Sequence, residues 1–256
     1  MAEPAAAKRT EEREAAAVDA LFQAALRAGE NRAQARAVLA TVHDERPLVA
    51  LLRRAVPLAL LEEVAAVPPW CERPRVLARV VLHPRAGAAL ALRLVSTLHW
   101  RDLAEVAATM RVTASVRARA ESLLRDGLTE MRLGDRMTLA RLATPAVLPL
   151  LLESAEPRVV AAALENPRLR EEDLVLALRS ASVSRALVEC AAASPRWRES
   201  YAVRLALVLQ PRTPLSLALH RISGLVPRDL GRVSGDRSLL PVVRLAALRV
   251  LRGDRQ

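Results

Sequence analysis

Residues 48–124 recur at 175–251, offset by 127 positions with no gap, and 29 of the 77 aligned pairs are identical. The rarer residues keep register as well: Pro68/Pro195, Trp70/Trp197, Glu72/Glu199, Pro84/Pro211 and Asp102/Asp229. A tandem repeat of this kind narrows the fold sharply. Each unit is too small to bury its apolar face alone and does so by stacking on its neighbours.

The composition says what is being stacked. Apolar residues make up 52% of the 256 positions but aromatic residues only 2%, so the core is built from Leu, Val and Ala. Eight Gly and sixteen Pro punctuate the chain, and no stretch alternates with the period of a strand. Many short helices led by Pro turns are predicted, because Pro fits the first helical turn, where its missing N–H is not needed. In the first copy, 48–124, helices are predicted near 47–55, 57–67, 74–82, 86–98, 101–110 and 113–126. A connector over 125–174 carries helices near 136–143, 145–153 and 157–165, and the second copy spans 175–251. Before the repeat, residues 1–47 read as a helical cap. Its first ten residues are expected to be disordered, a helix follows over Glu11–Ala28 and ends at Gly29, and Asn31 N-caps a second helix. Residues 252–256 are expected to fray.

Three segments carry a resemblance: ALENPRLREED at 163–173, AAASPRWRESYAVRLALVLQPRTP at 191–214 and SLLPVVRLAALRVL at 238–251. Each sets a Pro turn before a short helix, and a Val-Arg-led helix recurs. They resemble bacterial HEAT-type and leucine-rich-repeat-variant α-solenoids over roughly residues 48–251. Where many HEAT repeats have Asp-Val-Arg, this chain has Ser115-Val116-Arg117 and Val242-Val243-Arg244. The resemblance implies an all-α, right-handed solenoid of short antiparallel helices, and it implies no particular activity.

The formal charge is +11, and Lys8 is the only lysine among 39 basic residues. The excess is uneven. Residues 1–47 carry −1 and the connector −2, whereas the first copy carries +5 and residues 175–256 carry +9. A GC-rich codon bias accounts for arginine over lysine but not for this placement. Arg85/Arg212, Arg101/Arg228 and Arg117/Arg244 hold the same places in both copies. They are candidates for a common binding ridge, against the alternative that their stems cover apolar helix surface.

The other chemistry-bearing residues are weighed by the repeat. Trp70 and Trp197 are matched and read as plugs between helix layers, while Trp100 faces Pro227 and is the better candidate for surface recognition. The Asp of Arg101-Asp102 and Arg228-Asp229 suits a first helical turn. His43, His83, His99 and His220 show no metal-ligand spacing, and His83 and His99 are replaced in the second copy by Gln210 and Val226. Cys71 and Cys190 are both unmatched. No phosphate-binding loop, nucleophile elbow or carboxylate pair appears. The expectation is a cytoplasmic, non-enzymatic scaffold without metal or cofactor that binds another protein. Nucleic acid along an arginine-lined groove is the alternative ligand, and no segment is long and apolar enough for membrane insertion.

Overall fold

A computed structural model describes residues 3–253, with side chains from Glu14 onward. Among the described residues there are seventeen α-helices, one 3-10 turn and no strand. No described helix is long and apolar enough to cross a membrane. The chain forms two compact units, Met1–Gly127 and Leu128–Gln256.

The first unit runs α1 (Glu3–Ala28), α2 (Arg32–Ala40), α3 (Glu45–Leu51), α4 (Leu58–Ala66), the 3-10 turn Trp70–Glu72, α5 (Pro74–Val81), α6 (Gly87–Val95), α7 (Trp100–Ala108) and α8 (Ala114–Gly127). Helix α1 starts at Glu3 rather than at Glu11, because the Ala5–Ala7 run favours helix and nothing interrupts it. Gly29 ends it with a φ of 53°, and the Asn31 side chain accepts from the Gln34 N–H to start α2. Helix α2 is tied to α4 by charge. Glu63, only 6% exposed, receives Arg36 at 2.9 Å, and Glu62 pairs with Arg32.

The second unit runs α9 (Leu133–Leu142), α10 (Leu148–Leu152), α11 (Pro157–Leu164), α12 (Glu171–Leu178), α13 (Arg185–Ala193), α14 (Tyr201–Leu209), α15 (Leu215–Ile222), α16 (Pro227–Gly235) and α17 (Pro241–Arg252). Pro74, Pro157, Pro227 and Pro241 all stand in first turns. Gly253 closes α17 at a φ of 85°; the rest of the tail expected to fray, residues 254–256, lies outside the described residues. Helices α12 to α17 begin 127 positions after α3 to α8, to within one residue in every case.

Within each unit, helices pack two apart as well as in sequence, which makes this a helical repeat-like protein. In the first unit α1 meets α3, α3 meets α5 and α5 meets α7, while α2 meets α4 and α6 meets α8. In the second unit α10, α12, α14 and α16 follow one another, as do α9, α11 and α13, and α15 meets α17. Interlocked Leu, Val and Ala fill these contacts, with Leu48, Leu51, Leu60 and Leu61 in one unit and Leu164, Leu174 and Leu178 in the other at or below 2% exposure.

Stacked helices face a difficulty at their ends, where the last carbonyls have no partner within the helix. Three turns of the same design resolve it. After α11, the side chain of Asn166 is fully buried and donates to Ala140 O at 2.8 Å and Ala143 O at 3.1 Å, at the end of α9. Its own oxygen accepts from Arg168 N at 2.8 Å, and the Arg168 guanidinium donates to Leu142 O at 2.8 Å. After α5, His83 lies 2.8 Å from Arg54 O, just past α3, and accepts from Arg85 N at 3.1 Å; the Arg85 guanidinium donates to Val56 O at 3.5 Å. After α14, Gln210 donates at 2.6 Å to the carbonyl of Leu178, the last residue of α12, and at 3.1 Å to Ser180 O just past it, and accepts from Arg212 N at 3.2 Å. The Arg212 guanidinium donates to Val183 O at 3.1 Å. A buried polar residue, then Pro, then Arg thus clamps one layer to the layer before it.

Replacing Asn166 with Ala strands two buried carbonyls and an N–H. The unfolding free energy should fall by about 2–4 kcal/mol, read from urea transitions followed by circular dichroism. Asn166→Gln should recover part of the loss, since Gln serves at the equivalent turn after α14. A loss below about 0.5 kcal/mol for Asn166→Ala would show that the clamp does not hold the layers.

Candidate binding grooves

The His83 and Gln210 clamps each lie beneath a groove. In the first unit a groove of about 340 Å³ is lined by Leu52, Arg53, Arg54 and Ala55 after α3, by Arg79, Leu82, His83, Pro84 and Arg85 at the end of α5, and by Arg111 after α7. In the second unit a groove of about 680 Å³ is lined by Arg179 and Ala181 after α12, by Ala206, Leu209, Gln210, Pro211 and Arg212 around the end of α14, and by Arg232, Gly235, Asp236 and Ser238 around the end of α16. Eight lining positions of the first groove have their partners 127 residues later in the second. The two grooves therefore occupy matched positions of the two aligned segments. Each forms where the C-terminal ends of three successive same-row helices come to one rim.

The linings differ in charge. The first groove carries five arginines and no carboxylate. Arg54 pairs with Asp19 at 2.5 Å and Arg79 with Glu105 at 2.6 Å, both carboxylates lying outside the lining. The second groove carries Arg179, Arg212 and Arg232 with Asp236. Asp236 sits low in the carboxylate range because the Ser238 hydroxyl and N–H both donate to it, at 2.7 and 2.9 Å.

A further groove of the first unit, about 780 Å³, follows the same helices towards their N-terminal ends. Glu14, Asp44, Glu45 and Asp102 contribute acid there, and Arg46, Arg73 and Arg75 face them. Arg53 and Arg79 belong to both linings. Glu45 and Asp102 in the first turns of α3 and α7 complement those helix dipoles, whereas the start of α5 carries Arg73 and Arg75. Burial, and then the neighbouring Glu105, raises the pKa of Asp102 above its usual range.

The repeated arginines do not share a single rim. Arg85 and Arg212 line the matched grooves, but their guanidinium groups also hold backbone carbonyls. Arg101 and Arg228 are exposed in the first turns of α7 and α16, outside these linings. Arg117 leans on Met110, its Nη1 3.4 Å from the sulfur, and Arg244 donates to Ser234 O at 3.5 Å. Trp100 is not the surface platform expected. It is 8% exposed at the start of α7, with the Arg101 guanidinium 5.1 Å from its ring centroid and the His99 ring beside it. Its lack of a counterpart means that the repeat does not require an indole there, not that the ring is free.

Trp70 and Trp197 are buried, at 5% and 6% exposure, as the layer-plug reading requires. Trp197 donates to Leu164 O at 3.0 Å beneath the stacked Arg196, whose guanidinium reaches Asn166 O and Leu169 O at 2.7 and 2.9 Å. Asp229 accepts from the Tyr201 hydroxyl at 2.6 Å and so ties α14 to α16. The described residues hold no group of three His, Cys, Asp or Glu able to take a metal ion.

Sequence reasoning missed Arg53, Arg54, Arg79 and Arg111. Their counterparts are Ser180, Ala181, Ala206 and Ser238, so comparing the copies discards them. The one available signal was the adjacent Arg53-Arg54 pair at a helix end. Set beside known proteins, the chain matches no family model, no curated protein and no solved structure.

His83 gives the first clamp a pH dependence that Gln210 does not give the second. Because Arg54 O can only accept, Nε2 carries the hydrogen and Nδ1 accepts from Arg85 N, so the ring is neutral. Its pKa lies below the ordinary value, chiefly through desolvation, opposed by the bond to Arg54 and aided by the charge of Arg85. A folded-state pKa depressed below the unfolded value of about 6.5 makes the unfolded chain bind more protons, so stability falls as pH drops through and below about 6.5. The urea midpoint should fall between about pH 7.5 and about pH 5.5, and by less in His83→Gln. An equal fall in both proteins would contradict this role.

Proposed function

We propose that this chain is a HEAT-like α-solenoid carrying an internal duplication, and that it works as a non-enzymatic scaffold that binds another protein. The matched helix starts of α3–α8 and α12–α17, together with packing two helices apart, support the architecture. The observation that carries the function is the groove repeated at the same place in both units. A feature at matched places over the same kind of clamp, open to solvent and rimmed by exposed side chains, is a binding surface in form.

The polar groups beneath the grooves already have structural partners. His83 and Gln210 both hold backbone carbonyls of the preceding layer. This leaves recognition to the rims rather than chemistry to the floor. A protein partner is favoured over nucleic acid because Arg85 and Arg212 have backbone partners, Trp100 is buried, and the other repeated arginines lie outside the grooves.

A photo-crosslinking residue placed at Arg111 or at Ser238, the matched rim positions, should trap a discrete protein partner from native lysate. The same residue at Arg185, exposed on α13 outside both linings, should not. No discrete product at either rim, or trapping of nucleic acid alone, would remove the scaffold reading.

A further inference from the structure

Resting on the scaffold reading, we propose that the groove at the C-terminal ends of α3 and α5 takes an extended, carboxylate-rich segment of the partner protein, with Arg53 and Arg111 as its principal charge contacts.

The two grooves of the molecule serve as each other's control. Arg85 recurs as Arg212 and belongs to the clamp. Arg54, Arg79 and Arg111 are replaced by Ala181, Ala206 and Ser238 in a groove that still forms, so their charge is not needed to build it. Arg54 and Arg79 have carboxylate partners of their own. The guanidinium groups of Arg53 and Arg111 make no hydrogen bond or ion pair among the described residues, and both side chains are exposed.

Complementing the helix ends does not account for this surplus. His83 and Arg85 already bond the carbonyls just beyond the end of α3. Two unpaired cations therefore face one notch, and an arginine fork suits a carboxylate in two-point contact.

The shape selects peptide over nucleic acid. At about 340 Å³ the groove lies at the small end of ligand pockets, which run about 300–1,000 Å³. Leu82, Pro84 and Ala55 give it apolar walls. A phosphate backbone needs cations strung along a track, with aromatic platforms where bases stack. A notch with clustered cations and apolar walls fits acidic side chains alternating with an apolar one.

The test is fluorescence anisotropy at low ionic strength on the full chain. The probes are a short labelled peptide of Asp and Glu with a central Leu, its Asn/Gln counterpart, and labelled single-stranded and duplex oligonucleotides. The acidic peptide should bind and its neutral counterpart should not. Arg53→Gln with Arg111→Gln should weaken binding by about five- to tenfold, while Arg232→Gln in the other unit should leave it unchanged. Matching circular dichroism spectra and urea midpoints would show that the variants fold. Absence of peptide binding, an affinity indifferent to the double variant, or oligonucleotide binding that is tighter and lost in that variant would each overturn the proposal. Crosslinking at Ser238 leaves Arg53 and Arg111 in place and does not depend on the partner's charge, so the scaffold reading fails or stands separately.

Discussion

The stacking of these helices depends on how the chain treats the carbonyl groups at helix ends. Short helices stacked in layers produce many such ends, and each buried one lacks a partner unless the next layer supplies it. Here the turn after a helix sends a buried His, Asn or Gln back to the carbonyls that end the previous helix of its row. The amide two residues on returns a bond to that side chain, and the intervening Pro takes the second position of a tight turn that the N–H three residues on closes. The guanidinium of the following Arg reaches one more carbonyl of that layer, at the helix end for Arg168 and just before the next helix for Arg85 and Arg212. Apolar packing supplies most of the driving force in such a core, but it is not directional. The clamp adds direction, fixing how far one layer slides past the next.

This use of arginine reframes the charge of the protein. Arg85, Arg168, Arg196 and Arg212 look from composition like a phosphate-binding surplus, yet each donates to main-chain carbonyls of an earlier layer. Arginine suits the task because it keeps its charge and presents several donors in a fixed fork, so one side chain can satisfy two or three carbonyls at a crowded helix end. Arg196 does so while stacked on Trp197. What remains for a partner is the smaller set of guanidinium groups whose neighbours do not need them.

The helix starts were legible because residues 175–251 match residues 48–124 at rare positions. Matching Pro, Trp and Asp at an offset of 127 fixes helix starts that periodicity alone would leave loose by several residues. Two things escaped that reading. Helices α10 and α11 take the packing places in the second unit that α1 and α2 take in the first, though no sequence match extends that far; interchangeable Ala, Leu and Val preserve a helix face without preserving letters. The groove arginines escaped for the opposite reason. Position-by-position comparison keeps what every layer must have in order to stack, so it returned Arg85 and Arg212 and discarded Arg53 and Arg111, which only one layer carries. Trp100 shows the converse error, since an unmatched aromatic residue can still be core.

The claim that buried polar turns clamp the layers is tested most directly by amide hydrogen exchange at Arg85, Arg168 and Arg212. These residues lie in exposed turns between helices, where amides ordinarily exchange fast. In this account each amide donates to a buried side chain that is itself held by the preceding layer, so all three should exchange as slowly as the helices flanking them. Exchange at the rates of the open turns around them would mean that the layers are held by apolar packing alone.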